Sequence, residues 1–349
     1  MPTRISSSRT IRKAALGSIA LAASVALLAG CSTTTATSSS TSSSSDAKTK
    51  KLRIVDIAAL ITDSFFITGK CGAEAAAKAN NATLEFQGPT GNSATAEIQA
   101  FAAAGATKPD GMLVAPFSNT GFSTTVTKLM GEGIPVWATG QTLEPASAFG
   151  TTITNYIEAA KPLVKLIGTL SGGSGSVGLI ADTTGNKTDS DRYTALIPAL
   201  KTAYPKVTVL SPQYAQNSTS MASTQAAALI QAHPDMKVIY ATSGPEAVGV
   251  AAAIKAAGKG SSVKLISFDS SPDQITLLKN GQLAATIGQS PYDSSYIGAT
   301  QVIKYIRAHG TSSTVPATAA ITSTPTMLLT PQNVDTAAGK KYQYMTSCN

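Results

Sequence analysis

The stretch GMLVAPFSNTGFSTTVTKLMGEGIPVWATG, residues 111–140, decides the fold. It opens on GMLVAP (111–116) and closes on IPVWATG (134–140), two short runs too apolar to leave a face for water. Between them TTVTKLMGEG (124–133) carries its apolar residues at helical spacing. Strands that are apolar throughout need cover on both faces, and strands joined by a helix run parallel. The stretch therefore reads as one strand–helix–strand unit of a buried parallel sheet.

The same alternation extends in both directions. Upstream, LRIVDIAAL (52–60) and ATLEFQG (82–88) read as strands, ITGKCGAEAAAKAN (67–80) and TAEIQAFAAAG (95–105) as helices, the second ended by glycine. The pattern pauses near FGTTITNY (149–156) and restarts. Helices are expected at 157–170, 193–204, 221–232 and 246–258, and strands at 176–182, 207–214, 238–242, 263–269 and 283–289. Two consecutive half-chains of this kind predict an α/β protein of two Rossmann-like, doubly wound lobes. Ligands of open parallel sheets bind beyond the carboxyl ends of the strands, so two such edges face to face make a cleft.

Composition narrows the function. Hydrophobic residues make up 43% of the 349, enough for two cores, while aromatic residues are only 5%. Formal charge is +8, of which Arg4, Arg9, Arg12 and Lys13 supply four, leaving about +4, dispersed and without aromatic interleaving. Nucleic acid is not an expected partner. With two histidines and three cysteines, no Cys/His metal spacing and no nucleophile–base set is visible, so neither a metal, a cofactor nor an enzyme is expected. His233 reads as a helix-end residue. Gly173-Ser174-Gly175-Ser176-Val177-Gly178 spells G-x-G-x-x-G, but a helix precedes it and a strand follows, the reverse of a dinucleotide site.

The first 30 residues are an address rather than structure. Four cations, then the apolar run AALGSIALAASVALLA (14–29), form a secretory signal too short to span a bilayer stably. Leu28-Ala29-Gly30-Cys31 resembles the lipobox of bacterial lipoproteins, which implies an acylated Cys31 as the mature first residue. Residues 31–51, mostly Ser and Thr, then form a flexible tether. The expected location is extracytoplasmic, on the bacterial cell membrane.

The body, over most of residues 52–330, resembles the type I periplasmic binding proteins, in particular their sugar-binding group. The resemblance lies in DSFFITGKCGAEAAAKAN (63–80), KPDGMLVAP (108–116), GIPVWATG (133–140), AHPDMKVIYATSGPEAVGVAAAIKAAG (232–258), VKLISFDSSPDQITLLKNGQLAATIGQSPYDSSYIGA (263–299) and TPQNVD (330–335). It implies two lobes, 52–153 with 290–322 and 154–289 with 323–349. Three hinge crossings join them near Thr151–Asn155, Thr286–Ser290 and Ile321–Pro325. It also implies a monomer that closes on a small ligand and hands it to an ABC permease. A receptor of the same fold serving a membrane sensor stays open as a second reading.

By the same resemblance Asp63, Phe65 and Phe66 offer polar contacts and a stacking ring, with core packing as the alternative for either phenylalanine. Arg192 and Asp269 are expected to bind ligand, Asp269 by accepting hydroxyls, and Gln289 to be the hinge glutamine. Gln141 and Ser243 are included where the chain departs from the sugar binders. Gly140-Gln141 replaces an Asp-Arg pair and Ser243-Gly244 replaces Asn-Asp. A sugar or polyol is the expected ligand, and a nucleoside or small aromatic compound stays open. With Cys31 acylated, Cys71 and Cys348 remain in a compartment not kept reducing, which suggests a disulfide pinning the polar tail 332–349. Two unpaired thiols are the other reading.

Overall fold

The computed structural model describes residues 50–311, 313–318 and 320–348. The expected signal segment, the expected acylation site at Cys31 and the expected tether up to residue 49 lie outside the described residues.

Two sheets carry the fold. In the first, β1 (Leu52–Ala58), β2 (Ala82–Gln87), β3 (Gly111–Ala115), β4 (Val136–Gly140), β5 (Gly150–Thr154) and β12 (Ala320–Thr324) lie in the order β12-β5-β4-β3-β1-β2. Every pairing in it is parallel. The second holds β6 (Ser174–Ala181), β7 (Lys206–Val209), β9 (Met236–Ala241), β10 (Lys264–Phe268), β11 (Ala285–Gly288) and β13 (Met327–Leu329), in the order β13-β11-β10-β9-β6-β7. The two-residue β8 (Gln213–Tyr214) pairs with β6, and β13 alone runs antiparallel to its neighbour.

Helices cover both faces of each sheet, as the all-apolar strands require. Around the first sheet pack α1 (Ser64–Ala79), α2 (Ala94–Ala106), α3 (Ser123–Gly131) and α10 (Pro291–His309). Its strands alternate between two cores. Leu52, Ile54 and Leu113 join α1 and α10, while Val55, Ile57, Met112 and Val114 join α2 and α3. Helices α1 and α10 approach so closely that a Cβ on Gly72 would stand 2.0 Å from the Tyr292 carbonyl oxygen.

The second sheet repeats the plan with α4 (Tyr156–Ser171), α5 (Lys187–Thr194), α6 (Leu196–Ala203), α7 (Thr219–Ala232), α8 (Gly244–Ala256) and α9 (Pro272–Lys279). Ile239, Ala241 and Leu265 face α7, α8 and α9, whereas Val238, Tyr240, Ile266 and Phe268 face α4 and α6. The chain passes from one sheet to the other three times, between β5 and α4, between β11 and α10, and between β12 and β13. Thr154 and Gln289, on two of these passages, are joined by a 2.7 Å hydrogen bond from the Thr154 hydroxyl.

Several elements differ from the reading of the sequence. The apparent pause at 149–156 contains β5, a strand of β-branched threonine and isoleucine whose polarity masked it. The helix expected at 193–204 is two helices, α5 and α6, meeting at Ala195; Pro198 cannot donate its share of a continuous ladder. The strand expected at 207–214 is likewise split into β7 and β8. Helices α9 and α10 and strands β12 and β13 have no counterpart in the reading of the sequence. The segment Gly173–Gly178 is a helix-to-strand turn running into β6, as its context required.

Candidate functional site

A cavity of about 160 Å³ lies where the carboxyl ends of the two sheets meet. From the first sheet it is lined by Asp63, Phe65 and Phe66 after β1, by Phe117 after β3, and by Gly140 at the end of β4. Asp182, Asp189 and Arg192 line it after β6, Ser243 after β9, and Asp269 after β10.

Each wall is set by local chemistry. Asp63 caps α1, accepting the Phe65 amide at 2.7 Å, which fixes the turn that presents both rings. The rings pack edge to face with centroids 5.2 Å apart. Burial pushes the Asp63 carboxyl above its usual range, with Asp269 across the cleft adding to the rise and the Phe65 amide and Arg192 opposing it.

Asp269 sits at φ +76°, left-handed backbone that is uncommon for non-glycine residues and that aspartate adopts more readily than most. Its amide donates to the Ile287 carbonyl at 2.8 Å, and its carbonyl accepts the Thr286 hydroxyl at 2.5 Å. Behind it, Ser271 and Gln274 form a capping box at the start of α9. Gln274, fully buried, also donates to the Phe268 carbonyl at 2.6 Å.

Three donors converge on the Asp269 carboxylate. Arg192 Nη1 donates to Oδ2 at 2.7 Å, and Gln289 Nε2 and the Tyr344 hydroxyl donate to Oδ1 at 2.5 and 2.8 Å. Arg192 also donates to the Thr242 carbonyl at 2.5 Å and lies over the Phe268 ring, 4.7 Å from its centroid. Burial alone would lower the guanidinium's affinity for its proton. Asp269, Tyr156 and Asp189 more than offset this, so the group stays charged. Asp189, 2% exposed, accepts the Asp182 amide at 3.0 Å. Burial raises its carboxyl to about 6 against the pull of Arg192.

Six of the eight ligand-binding residues expected from the sequence thus line one cavity: Asp63, Phe65, Phe66, Arg192, Ser243 and Asp269. Gln141 does not. Its buried amide donates to the carbonyls of Pro116 and Phe117, tying down the loop after β3, and it is Gly140 that borders the space. Gln289 does not line the cavity either; it stands behind Asp269 and braces it against Thr154. The Ser243 hydroxyl is engaged by Glu246 in the first turn of α8.

Cys71 and Cys348 form a disulfide with Cα atoms 5.2 Å apart, so the reading as two free thiols is set aside. Trp137 is buried and donates to the Thr152 hydroxyl at 3.3 Å, a packing residue. Sequence reasoning missed Asp182, Asn186, Asp189 and Tyr344. The first three follow a correctly read strand and could have been found from the rule of strand carboxyl ends. Nothing in the sequence singles out Tyr344. Among the described residues no cluster of His, Cys, Asp and Glu could hold a metal ion, and no helix is long and apolar enough to cross a membrane.

Residues 57–310 match the family model described as a periplasmic binding protein domain. The chain belongs to the periplasmic binding protein family. Its architecture is the type I fold of that family, two mostly parallel α/β sheets with a cleft at their carboxyl ends. The D-allose-binding periplasmic protein of Escherichia coli (strain K12) is 26% identical over 266 residues, 73% of this chain and 84% of that protein. A ribose import binding protein of Bacillus subtilis (strain 168) is 23% identical over 276 residues, 78% of this chain and 87% of the relative. An ABC transporter solute-binding protein of Agrobacterium vitis, solved with bound α-D-tagatopyranose, is 25% identical with a TM-score of 0.75, covering 84% of this chain and all of that one. Members of the family work outside the cytoplasm, and these relatives are binding proteins rather than enzymes.

Proposed function

We propose that the protein is a lipid-anchored solute-binding component of an ABC importer that takes a monosaccharide or sugar-like polyol in the cleft between its sheets. The observation that carries this reading is the composition of the two walls. Asp269, Arg192, Asp189 and Asp182 supply acceptors and a cation on one side, and Phe65, Phe66 and Phe117 supply apolar ring faces on the other. A sugar ring has hydroxyls at its rim and C–H groups on its faces, and such a pair of walls satisfies both at once. The sugar-binding relatives support the assignment. Residues 52–153 with 290–322, and 154–289 with 323–349, then act as lobes that close about the three passages, with the Thr154–Gln289 bond at the hinge.

Calorimetric titration and thermal-shift measurements with D-allose, D-ribose and D-tagatose test the ligand class. A bound sugar at one hundred times its Kd stabilises the protein by about 2.7 kcal/mol. A protein whose melting temperature is unmoved by every one of them, and by other monosaccharides at millimolar concentration, is not a sugar binder. Acylation at Cys31 predicts that Cys31→Ala leaves the ligand site intact but releases the protein from membranes. Retention of the variant after a salt wash defeats the anchor.

A further inference from the structure

The C-terminal tail supplies a wall of the cleft. After α11 (Ala337–Lys340) the chain leaves regular structure, yet its next residues are tied to both sides of the site. The Ser270 hydroxyl bonds the Tyr342 carbonyl, and the Tyr344 amide donates to the Ser270 carbonyl at 3.1 Å, beside Asp269. One residue on, the Met345 amide donates to the Thr68 hydroxyl of α1 at 2.6 Å, and Cys348 is bonded to Cys71 of the same helix. Between these anchors Tyr344 borders the cavity, 7% exposed, its ring edge to face with Phe65 at 5.6 Å. We propose that Tyr344 is a ligand-contacting residue that sets the specificity of the cleft, and that the Cys71–Cys348 disulfide keeps it there.

The chemistry follows from the donor count at Asp269. A carboxylate has roughly four acceptor directions. Gln289 and Tyr344 occupy Oδ1 and Arg192 takes one position on Oδ2, so a ligand hydroxyl meets one free direction rather than a bare carboxylate. The phenol oxygen gives its proton to Asp269 and accepts the Gln289 amide at 3.3 Å, so what Tyr344 brings to the edge of the cavity is its aromatic ring. Tyr344 thereby converts part of a hydroxyl clamp into a stacking wall and favours a ring that presents a C–H face with fewer hydroxyls at that edge. A terminal segment without helix or strand frays unless tied down. The disulfide holds this one to the first helix.

This inference rests on the sugar reading for its ligand but not for the placement of the tail, and the experiment separates the two. Hydrogen exchange on the full mature chain compares the disulfide-bonded protein with Cys71→Ser/Cys348→Ser. Loss of protection at the amides of Tyr344 and Met345 is expected; unchanged protection overturns the role of the disulfide. Calorimetric titration with D-allose, D-ribose and D-tagatose then compares wild type with Tyr344→Ala, Tyr344→Phe and the double serine variant. For each sugar the wild type binds, Tyr344→Ala is expected to weaken binding about tenfold, a usual loss for a truncated aromatic contact. Tyr344→Phe, which keeps the ring and frees one of the two acceptor positions on Oδ1 while Gln289 keeps the other, is expected to reorder the three affinities. Affinities within about twofold of wild type in all variants, below the roughly fivefold that one net hydrogen bond is worth, overturn the contact. If the wild type binds no sugar, the sugar reading and the ligand contact fall together, while hydrogen exchange still decides whether the disulfide holds the tail.

Discussion

Replacing Arg192 by leucine tests the electrostatics of the cleft in a single step. The side chain is the cation among Asp269, Asp189, Asp182 and Asp63 on the cavity wall, with side-chain exposures of 9% for Arg192 and 14% for Asp269. Two hydrogen bonds of a charged donor are lost, to Asp269 and to the Thr242 carbonyl. Each such bond is worth about 1.5–3 kcal/mol, and removing one partner of a buried ion pair costs about 3–5 kcal/mol in all. The expected loss is therefore about 4 kcal/mol at neutral pH, with the new leucine returning part of it through burial.

The sign of the pH dependence can be worked from Asp189. Its carboxyl stands at about 6 in the folded protein, above the usual 3.8, even with Arg192 pulling it down. A carboxyl whose folded value is raised holds a proton that the unfolded chain has released, so stability falls as pH rises through the interval between the two values. Without Arg192 the folded value rises further. The penalty in Arg192→Leu grows between pH 5 and pH 8, by about 1.4 kcal/mol for each unit of further rise. Urea unfolding followed by circular dichroism at both pH values measures it. Adding Asp269→Asn removes the stranded charge but keeps an acceptor for Gln289 and Tyr344, and is expected to recover at least half of the loss. A cost below about 1 kcal/mol, or single-variant losses that simply add in the double variant, refutes the reasoning.

Glu97, fully buried and bonded to the Phe117 amide at 3.0 Å, has its carboxyl raised by burial to about 8 from 4.5. Wild-type stability should thus fall from the ordinary carboxylate range up to about pH 8, and Glu97→Gln should flatten that slope and melt higher at pH 8.5; parallel melting curves for the two proteins would count against it. Gly72→Ala should cost about 1–3 kcal/mol in chemical denaturation, because the added methyl meets the Tyr292 carbonyl and forces α1 from α10. Asp269→Ala should weaken sugar binding by about 1.5–3 kcal/mol in calorimetry, the range for a hydrogen bond to a charged group; unchanged affinity removes Asp269 from the ligand contacts.

What was legible in the sequence and what was not divides along a physical line. Strands such as GMLVA and VIYA are apolar on both faces because helices cover both, so composition alone announces a parallel sheet and, with it, where a cleft must lie. The threonine-rich β5 broke that rule, since its position beside the passage between sheets lets polar side chains bond across it, as Thr152 does with Ser294 and Thr154 with Gln289. Residues at strand ends, Asp63 and Asp269 among them, inherit their place from the sheet and could be named in advance. Gln141 could not be excluded from the sequence, because whether an amide faces the cavity or the loop behind it depends on carbonyls 24 and 25 residues away.

Tyr344 lies at the far end of this scale. No periodicity places a tail of polar residues, and its register over the cleft is set by a covalent bond between positions 277 apart in the chain. A link of that span acts mainly by denying conformations to the unfolded chain, on the order of 5 kcal/mol in the chain-entropy account before strain is subtracted. The same link confines the last residues of the folded protein to the neighbourhood of α1. Cysteine counting could therefore find the disulfide, yet it could not find the residue the disulfide serves, since only the path between the Ser270 and Thr68 anchors directs that one ring toward Asp269.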